Sequence, residues 1–161
     1  MWFRVRPADV TFAATAKRQL TYDVAVAGSG AAAFRAVTEP ESLTRWMPGV
    51  KSAKWLTSAP HGIGSVREVH VPGIAVHEKV LVWEPGERFV FCVVRANVPL
   101  LRRMVEDFRM TRMEGGTRVQ WTVAYQPLLL ASPLEFVLTP RFSKMFQEGS
   151  AQLARYVAAG A

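Results

Sequence analysis

The sequence predicts an α+β fold, in which an antiparallel sheet packs against one long helix near the C-terminus. The elements follow the order strand, two short helices, about six further strands and a final helix. The strands alternate apolar and polar side chains, which is typical of a sheet with one buried face. Short turns join several of them, as expected for antiparallel hairpins.

The N-terminal part of the chain contains the first strand and both short helices. Residues 1–17 show no clear periodicity, and we treat them as an extension before a single domain over 18–161. Alternating apolar side chains predict a strand over 19–27. Helices are predicted over 31–37 and 39–46, the second ending before a proline and a glycine.

Patterning with a period of two residues begins at about residue 50. It predicts strands over 50–57, 65–71, 75–83, 88–95, 103–113 and 117–125. Pro85 and Gly86 occupy the positions that a type II turn favours.

Two hairpins decide which side chains share a face. Gly115 and Gly116 are a strong hairpin signal, and taking them as the loop places Met110 opposite Trp121. Together the two hairpins place three charged residues, Glu78, Arg95 and Glu106, on the apolar faces of their strands. A charge there is costly unless it is paired or hydrated.

The last helix is predicted over about 132–157. A serine cap followed by a proline favours a helix start, and Pro140 is predicted to kink the helix. Its apolar side chains recur at steps of three and four residues and therefore share one face. They are Leu134, Leu138, Phe142, Met145, Gly149, Leu153 and Tyr156. Such a helix needs an apolar surface to cover.

Composition limits the class of protein. The chain has 161 residues, is 50% hydrophobic and carries a formal net charge of +7. It has one cysteine and no apolar run near the ~20 residues of a membrane span, and we expect a cytoplasmic protein. The basic residues are scattered, so no specific nucleic-acid site is predicted. Weak contact with an anionic membrane stays open, as does the choice between monomer and homodimer.

The segment 24–33 has the glycine spacing of a dinucleotide-binding turn, with Gly28 and Gly30 opening a helix. The context does not support that function, because the helix is short and the next strand has no acidic residue for a ribose. We therefore favour a plain strand-to-helix turn and predict no cofactor. His61, His70 and His77 lack the close spacing of metal ligands, so no metal site is predicted.

Glu78 and Glu106 are the candidate functional carboxylates. Each suits a polar group inside an apolar pocket, which anchors a ligand hydroxyl or acts as an acid or base with a raised pKa. The alternative is a structural role, most simply an ion pair between Glu78 and Arg95, or a carboxylate at a wet barrel mouth.

Several local motifs, taken in order, resemble the polyketide cyclase/dehydrase branch of the START and Bet v 1-like (SRPBCC) superfamily. They are residues 39–50, 62–67, 78–89 and 116–122, followed by the long last helix. The resemblance implies a helix-grip fold, in which a curved antiparallel sheet of about six to seven strands wraps around the C-terminal helix. It also implies an elongated apolar cavity between sheet and helix.

The resemblance implies a hydrophobic small-molecule ligand, such as a lipid, a polyketide or another aromatic metabolite. The alternative is a polyketide cyclase/dehydratase-type enzyme, with Glu78, Glu106 and Arg95 as candidate catalytic residues. A protein-interaction module that uses the basic surface is a third class. The residues expected to contact the ligand are Trp46, Met47, Arg67, Glu78, Val80, Phe89, Phe91, Arg95, Met104, Glu106, Phe108, Trp121, Leu134, Leu138, Phe142, Met145 and Phe146.

Overall fold

A computed structural model of the chain describes residues 1–128 and 132–160, with side chains described except for those of 132–139. These residues form eight strands and four helices, which confirms the α+β class. From residue 18 onward the order of elements is the predicted one, whereas the first strand and the first helix, within 1–17, were not predicted. The elements are β1 (Phe3–Arg4), α1 (Val10–Thr15), β2 (Arg18–Val26), α2 (Gly30–Thr38), α3 (Pro40–Trp46), β3 (Ser52–Trp55), β4 (Val66–Val71), β5 (Ile74–Glu84), β6 (Arg88–Ala96), β7 (Leu101–Met113), β8 (Gly116–Pro127) and α4 (Ser132–Ala158).

The strands form one curved antiparallel sheet that wraps around α4. Its order is β2-β8-β7-β6-β5-β4-β3, and β1 pairs with β6 beside this path. The main core lies between the concave face of the sheet and helices α2, α3 and α4. This arrangement is the predicted helix-grip fold.

Helix α4 packs its predicted face on the sheet. Gly149 and Leu153 are buried, whereas the opposite side chains Arg141, Lys144 and Glu148 are exposed. Since Leu134 and Leu138 lie outside the described side chains, the first part of the stripe stays a prediction. The helix continues through Pro140, and the kink there is also untested. None of the described helices has the length and apolarity needed to cross a membrane.

A β-bulge between β5 and β6 changes the position of Arg95. His77 pairs with Arg95 and Glu78 pairs with Val93, so Val94 has no partner on β5. The extra residue turns Arg95 to the outer face of the sheet, where it is exposed, and buries the side chain that follows it. The prediction that Arg95 shares the apolar face is therefore wrong.

Packing explains the glycines of the candidate dinucleotide motif. A Cβ atom on Gly30 would lie 2.4 Å from the Gly86 carbonyl oxygen, and one on Gly28 would lie 2.6 Å from Val157 Cγ1. Ser29 caps α2, because its hydroxyl accepts a hydrogen bond from the Ala32 N–H at 3.1 Å. The start of α2 thus sits tightly against the β5–β6 turn.

Residues of the N-terminal extension pack on the sheet. Its helix α1 covers the outer face of the sheet over an apolar cluster that includes Val90, Cys92 and Val105. The Asp9 carboxylate caps α1 by accepting a hydrogen bond from the Phe12 N–H at 3.0 Å. Strand β1 follows the edge of β6 where β7 diverges from it.

Candidate functional site

A cavity of about 160 Å³ lies between the concave face of the sheet and α4. Apolar side chains form its wall, apart from Arg67, Glu78, Glu106 and the phenol of Tyr125. An apolar cavity of roughly 150 Å³ is large enough for a benzene-sized molecule. The cavity therefore accommodates about one aromatic ring or a short acyl segment.

The structure brings most of the predicted contact residues to the cavity wall, although their role as ligand contacts stays a prediction. Those on the wall are Trp46, Met47, Arg67, Glu78, Phe91, Met104, Glu106, Phe108, Trp121, Phe142, Met145 and Phe146. Val80 and Phe89 are buried in the core outside the wall, and Arg95 lies on the outer face. Leu134 and Leu138 have no described side chains.

One end of the cavity is lined by residues that the sequence did not identify. Val71 and Ile74 flank the β4–β5 turn, and Val98 and Leu100 lie in the loop before β7. All four are partly exposed, whereas Phe91, Phe108 and Trp121 on the same wall are buried. We therefore take the end at these two turns as the open end of the cavity. Turn residues have no alternation from which a facing direction can be predicted, which is why they were missed.

Arg67 and Glu78 form a buried ion pair at the wall. The register of β4 and β5 places them directly opposite each other. The guanidinium donates a hydrogen bond from Nε to Glu78 Oε2 at 2.9 Å, and its Nη2 forms an ion pair with the same oxygen at 2.7 Å. Glu78 therefore pairs with Arg67, and the predicted partner Arg95 is wrong because the bulge turns it outward.

The Arg67 side chain is fixed by the groups around it. Its Nη1 donates to the carbonyls of Val37 and Thr38, at 2.9 and 3.1 Å, where α2 ends. Its Cζ atom lies 5.4 Å from the centre of the Phe91 ring and 5.6 Å from that of Phe89. The arginine thus ties β4 to the C-terminal end of α2.

Burial raises the pKa of Glu78, and the Arg67 guanidinium opposes that rise. Arginine remains protonated at any physiological pH. Arg67 is itself only 2% exposed and needs a counter-charge. We therefore treat Glu78 as the anion of the pair.

Glu106 is the second buried carboxyl group on the cavity wall, and its protonation state differs from that of Glu78. It is 7% exposed and accepts a hydrogen bond from Trp121 Nε1 at 2.9 Å. Burial, followed by the negative charge of Glu78, raises the pKa of Glu106 to about 8. At neutral pH Glu106 is therefore a neutral carboxylic acid, which has a proton to donate toward the cavity.

Aromatic packing fixes the ring of Trp121, whose indole N–H orients Glu106. The Trp121 ring stacks on Phe108 at 4.8 Å between centroids and meets the edges of Phe146 at 5.1 Å and Trp46 at 5.9 Å. Trp46 is fixed in turn, because its indole N–H donates to the Ala36 carbonyl at 2.7 Å. These contacts come from β7, β8, α3 and α4, so the position of Glu106 depends on the whole core.

The sequence matches a known family. Residues 17–158 match the family model described as polyketide cyclase / dehydrase and lipid transport. The uncharacterized protein Rv2574 of Mycobacterium tuberculosis is 28% identical over 124 residues, which cover 76% of this chain and 74% of that protein.

Solved structures share the fold. The protein TTHA0849 from Thermus thermophilus aligns with a TM-score of 0.72 and 15% identity, covering 89% of this chain and 99% of that one. Ara h 8.0201 has a TM-score of 0.69 and 14% identity, with 88% and 98% covered. A START superfamily protein from Mycobacterium smegmatis has a TM-score of 0.64 and 18% identity, with 88% and 95% covered. At these identities the likeness concerns the fold alone.

Proposed function

We propose that this chain, which belongs to the polyketide cyclase / dehydrase and lipid transport family, binds an apolar small molecule between its sheet and α4. The observation that carries the proposal is the cavity of about 160 Å³, with its nearly all-apolar wall and one open end. Concave, mostly apolar sites with a few placed polar groups are the usual form of small-molecule sites.

The polar groups narrow the chemistry of the ligand. Arg67 and Glu78 satisfy each other, so neither charge calls for a charged ligand. Glu106 is neutral and presents an acid proton to the cavity. The ligand we propose has an apolar body and one acceptor oxygen, such as a carbonyl or a hydroxyl. An extended molecule would leave part of its chain in the open end.

Acid catalysis on the bound molecule is a second candidate function. It is favoured by the pKa of Glu106, which lies at about 8 and near the operating pH of a general acid. In that role Glu106 would give its proton to a carbonyl oxygen of a polyketide-like ligand, and the Trp121 indole would orient the carboxyl group.

Two substitutions of Glu106 test the proposed contact. Glu106→Gln is expected to bind an apolar ketone probe with one aromatic ring, such as an alkyl phenyl ketone, within a few-fold of the wild-type affinity, because the amide is also a neutral donor. Glu106→Leu removes the donor and is expected to weaken binding by roughly two- to tenfold, the usual worth of a neutral hydrogen bond. Fluorescence titration at neutral pH measures both affinities.

The same variants separate binding from catalysis. If the protein turns over a carbonyl substrate, Glu106→Gln is expected to lower turnover by about 100-fold while affinity stays close to wild type. Equal affinity of Glu106→Leu and the wild type for the ketone probe would show that Glu106 does not contact the ligand.

A further inference from the structure

Four arginines gather on the outer face of the sheet beside the open end of the cavity. Arg4 on β1 pairs directly with Arg95 on β6. The backbone N–H of Arg6 donates to the carbonyl of Arg102 on β7 at 2.9 Å. All four side chains are exposed, and we call this set the arginine face. The residues are distant in sequence, so only the pairing of β1, β6 and β7 brings them together.

The direction of these side chains follows from their neighbours. Val5, between two of the arginines, is buried in an inner cluster with Val93 and Ala96. Strand alternation therefore turns Arg4 and Arg6 outward. On β7, the β-bulge between Leu101 and Arg103 leaves Arg102 without a partner on β8. Leu101 faces the cavity, and Arg102 is exposed on the opposite side.

The arginine face lacks counter-charges. Within residues 1–128 and 132–160, none of its four guanidinium groups has a carboxylate at ion-pair distance. Like charges directly opposite on an antiparallel pair are destabilising, so a bound anion would relieve the repulsion between Arg4 and Arg95. The carboxylate of Glu68, two strands beyond β6, is already occupied by His77 at 2.9 Å and His70 at 3.0 Å.

Apolar and aromatic side chains flank the arginine face. Trp2 adjoins it, is 39% exposed and packs its ring 4.1 Å from that of His77. Val98 and Leu100, at the cavity mouth, are partly exposed in the loop between Arg95 and Arg102. Cationic side chains beside a tryptophan and short apolar residues are typical of surfaces that lie in a bilayer interface.

We propose that the arginine face docks this protein on an anionic lipid bilayer, with the open end of the cavity toward the membrane. A bilayer fits because the charges are spread over three strands and do not converge on one point, as they would for a single phosphate. Docking itself does not require the proposed function. What docking would achieve does rest on it, since the docked cavity would exchange its apolar ligand with the lipid phase. Strand β1 lies outside the segment 17–158 that matches the family, so the surface is built partly from this chain's own extension.

Co-sedimentation with vesicles tests the docking. The wild-type protein is expected to bind phosphatidylglycerol-containing vesicles and not phosphatidylcholine vesicles. Binding is expected to fall as salt rises from about 0.1 M to about 1 M, where the screening length shrinks from ~10 Å to ~3 Å. Each arginine near an anionic surface contributes about five-fold to partitioning, so a triple variant with Arg4→Gln, Arg95→Gln and Arg102→Gln is expected to bind about 100-fold more weakly.

A matched triple variant controls for net charge. Arg45→Gln, Arg112→Gln and Arg155→Gln remove the same charge from exposed arginines outside the arginine face, and vesicle binding is expected to fall much less. Equal losses in the two triple variants, or no binding of the wild type to anionic vesicles, would overturn the proposal. Arginine-face-dependent binding to polyglutamate but not to vesicles would also overturn it and would indicate an acidic protein partner. The triple variant of the arginine face is expected to take up the ketone probe from solution as the wild type does. The test therefore distinguishes a failure of membrane docking from a failure of ligand binding in the cavity.

Discussion

Replacing Arg67 with methionine is expected to destabilise the fold by about 3–5 kcal/mol, the usual cost of leaving one partner of a buried ion pair alone. The Glu78 carboxylate would lose the guanidinium that now lies 2.7 Å away. The carbonyls of Val37 and Thr38, at the C-terminal end of α2, would lose their hydrogen-bond donor. Urea unfolding at neutral pH measures the loss as a lower midpoint.

Two further variants identify the cause of that loss. The double variant Arg67→Met with Glu78→Leu is expected to recover much of the stability, because an apolar pair often replaces a buried ion pair at little cost. A remainder of about 1–2 kcal/mol is expected from the unpaired carbonyls. As a surface control, Arg118→Met breaks the exposed pair with Asp23 and is expected to leave the midpoint almost unchanged. A double variant as unstable as Arg67→Met would contradict the role assigned to the pair.

Glu106 is expected to make the fold less stable as pH rises. Its pKa is raised from 4.5 to about 8, so between these values the folded protein holds a proton that the unfolded chain has released. This contribution is fully present below about pH 4.5 and is lost as pH rises through about 8. At about 1.4 kcal/mol per pKa unit, the total is roughly 4–5 kcal/mol.

Glu106→Gln isolates this effect, because the amide does not titrate. The stability of the wild type relative to this variant is expected to decline from about pH 5 to about pH 8 and then to level off in urea unfolding series. Glu148→Gln, at an exposed position on α4, is the matched control and is expected to show no such decline. A wild-type stability that keeps a constant offset from Glu106→Gln across this range would mean that Glu106 is ionised in the folded protein.

The strand and helix order was predictable because alternation and helical periodicity are local properties of the sequence. The β7–β8 turn shows the limit of this reasoning. Gly115 and Gly116 were predicted as the loop, but Met113 pairs with Gly116, so the loop is Glu114 and Gly115. Gly116 is needed for another reason, since a Cβ there would lie 2.1 Å from the Val26 carbonyl oxygen. The observed register differs from the predicted one by two residues, so the same side chains face inward as predicted.

The candidate site was predictable where it depends on strand faces and not where it depends on bulges or turns. Glu78 and Glu106 are buried as the alternation indicated. Arg95 was misplaced by a single extra residue, which the pattern of apolar positions does not reveal. The partner of Glu78 depends on the register between β4 and β5. The turn at Pro72-Gly73 sets that register by pairing Val71 with Ile74, which brings Arg67 opposite Glu78, but the prediction used this turn only to end a strand.

The central claim is that the cavity under α4 binds an apolar molecule, and uptake of the ketone probe by two tryptophan variants tests it most directly. Met145 lines the cavity, whereas Met113 is 43% exposed and lies outside the cavity wall. Both substitutions exchange the same pair of side chains and add the same bulk. Met145→Trp is expected to weaken uptake by about tenfold or more, a change of about 1.4 kcal/mol, while Met113→Trp binds like the wild type. Unaltered uptake by a folded Met145→Trp protein would contradict the claim.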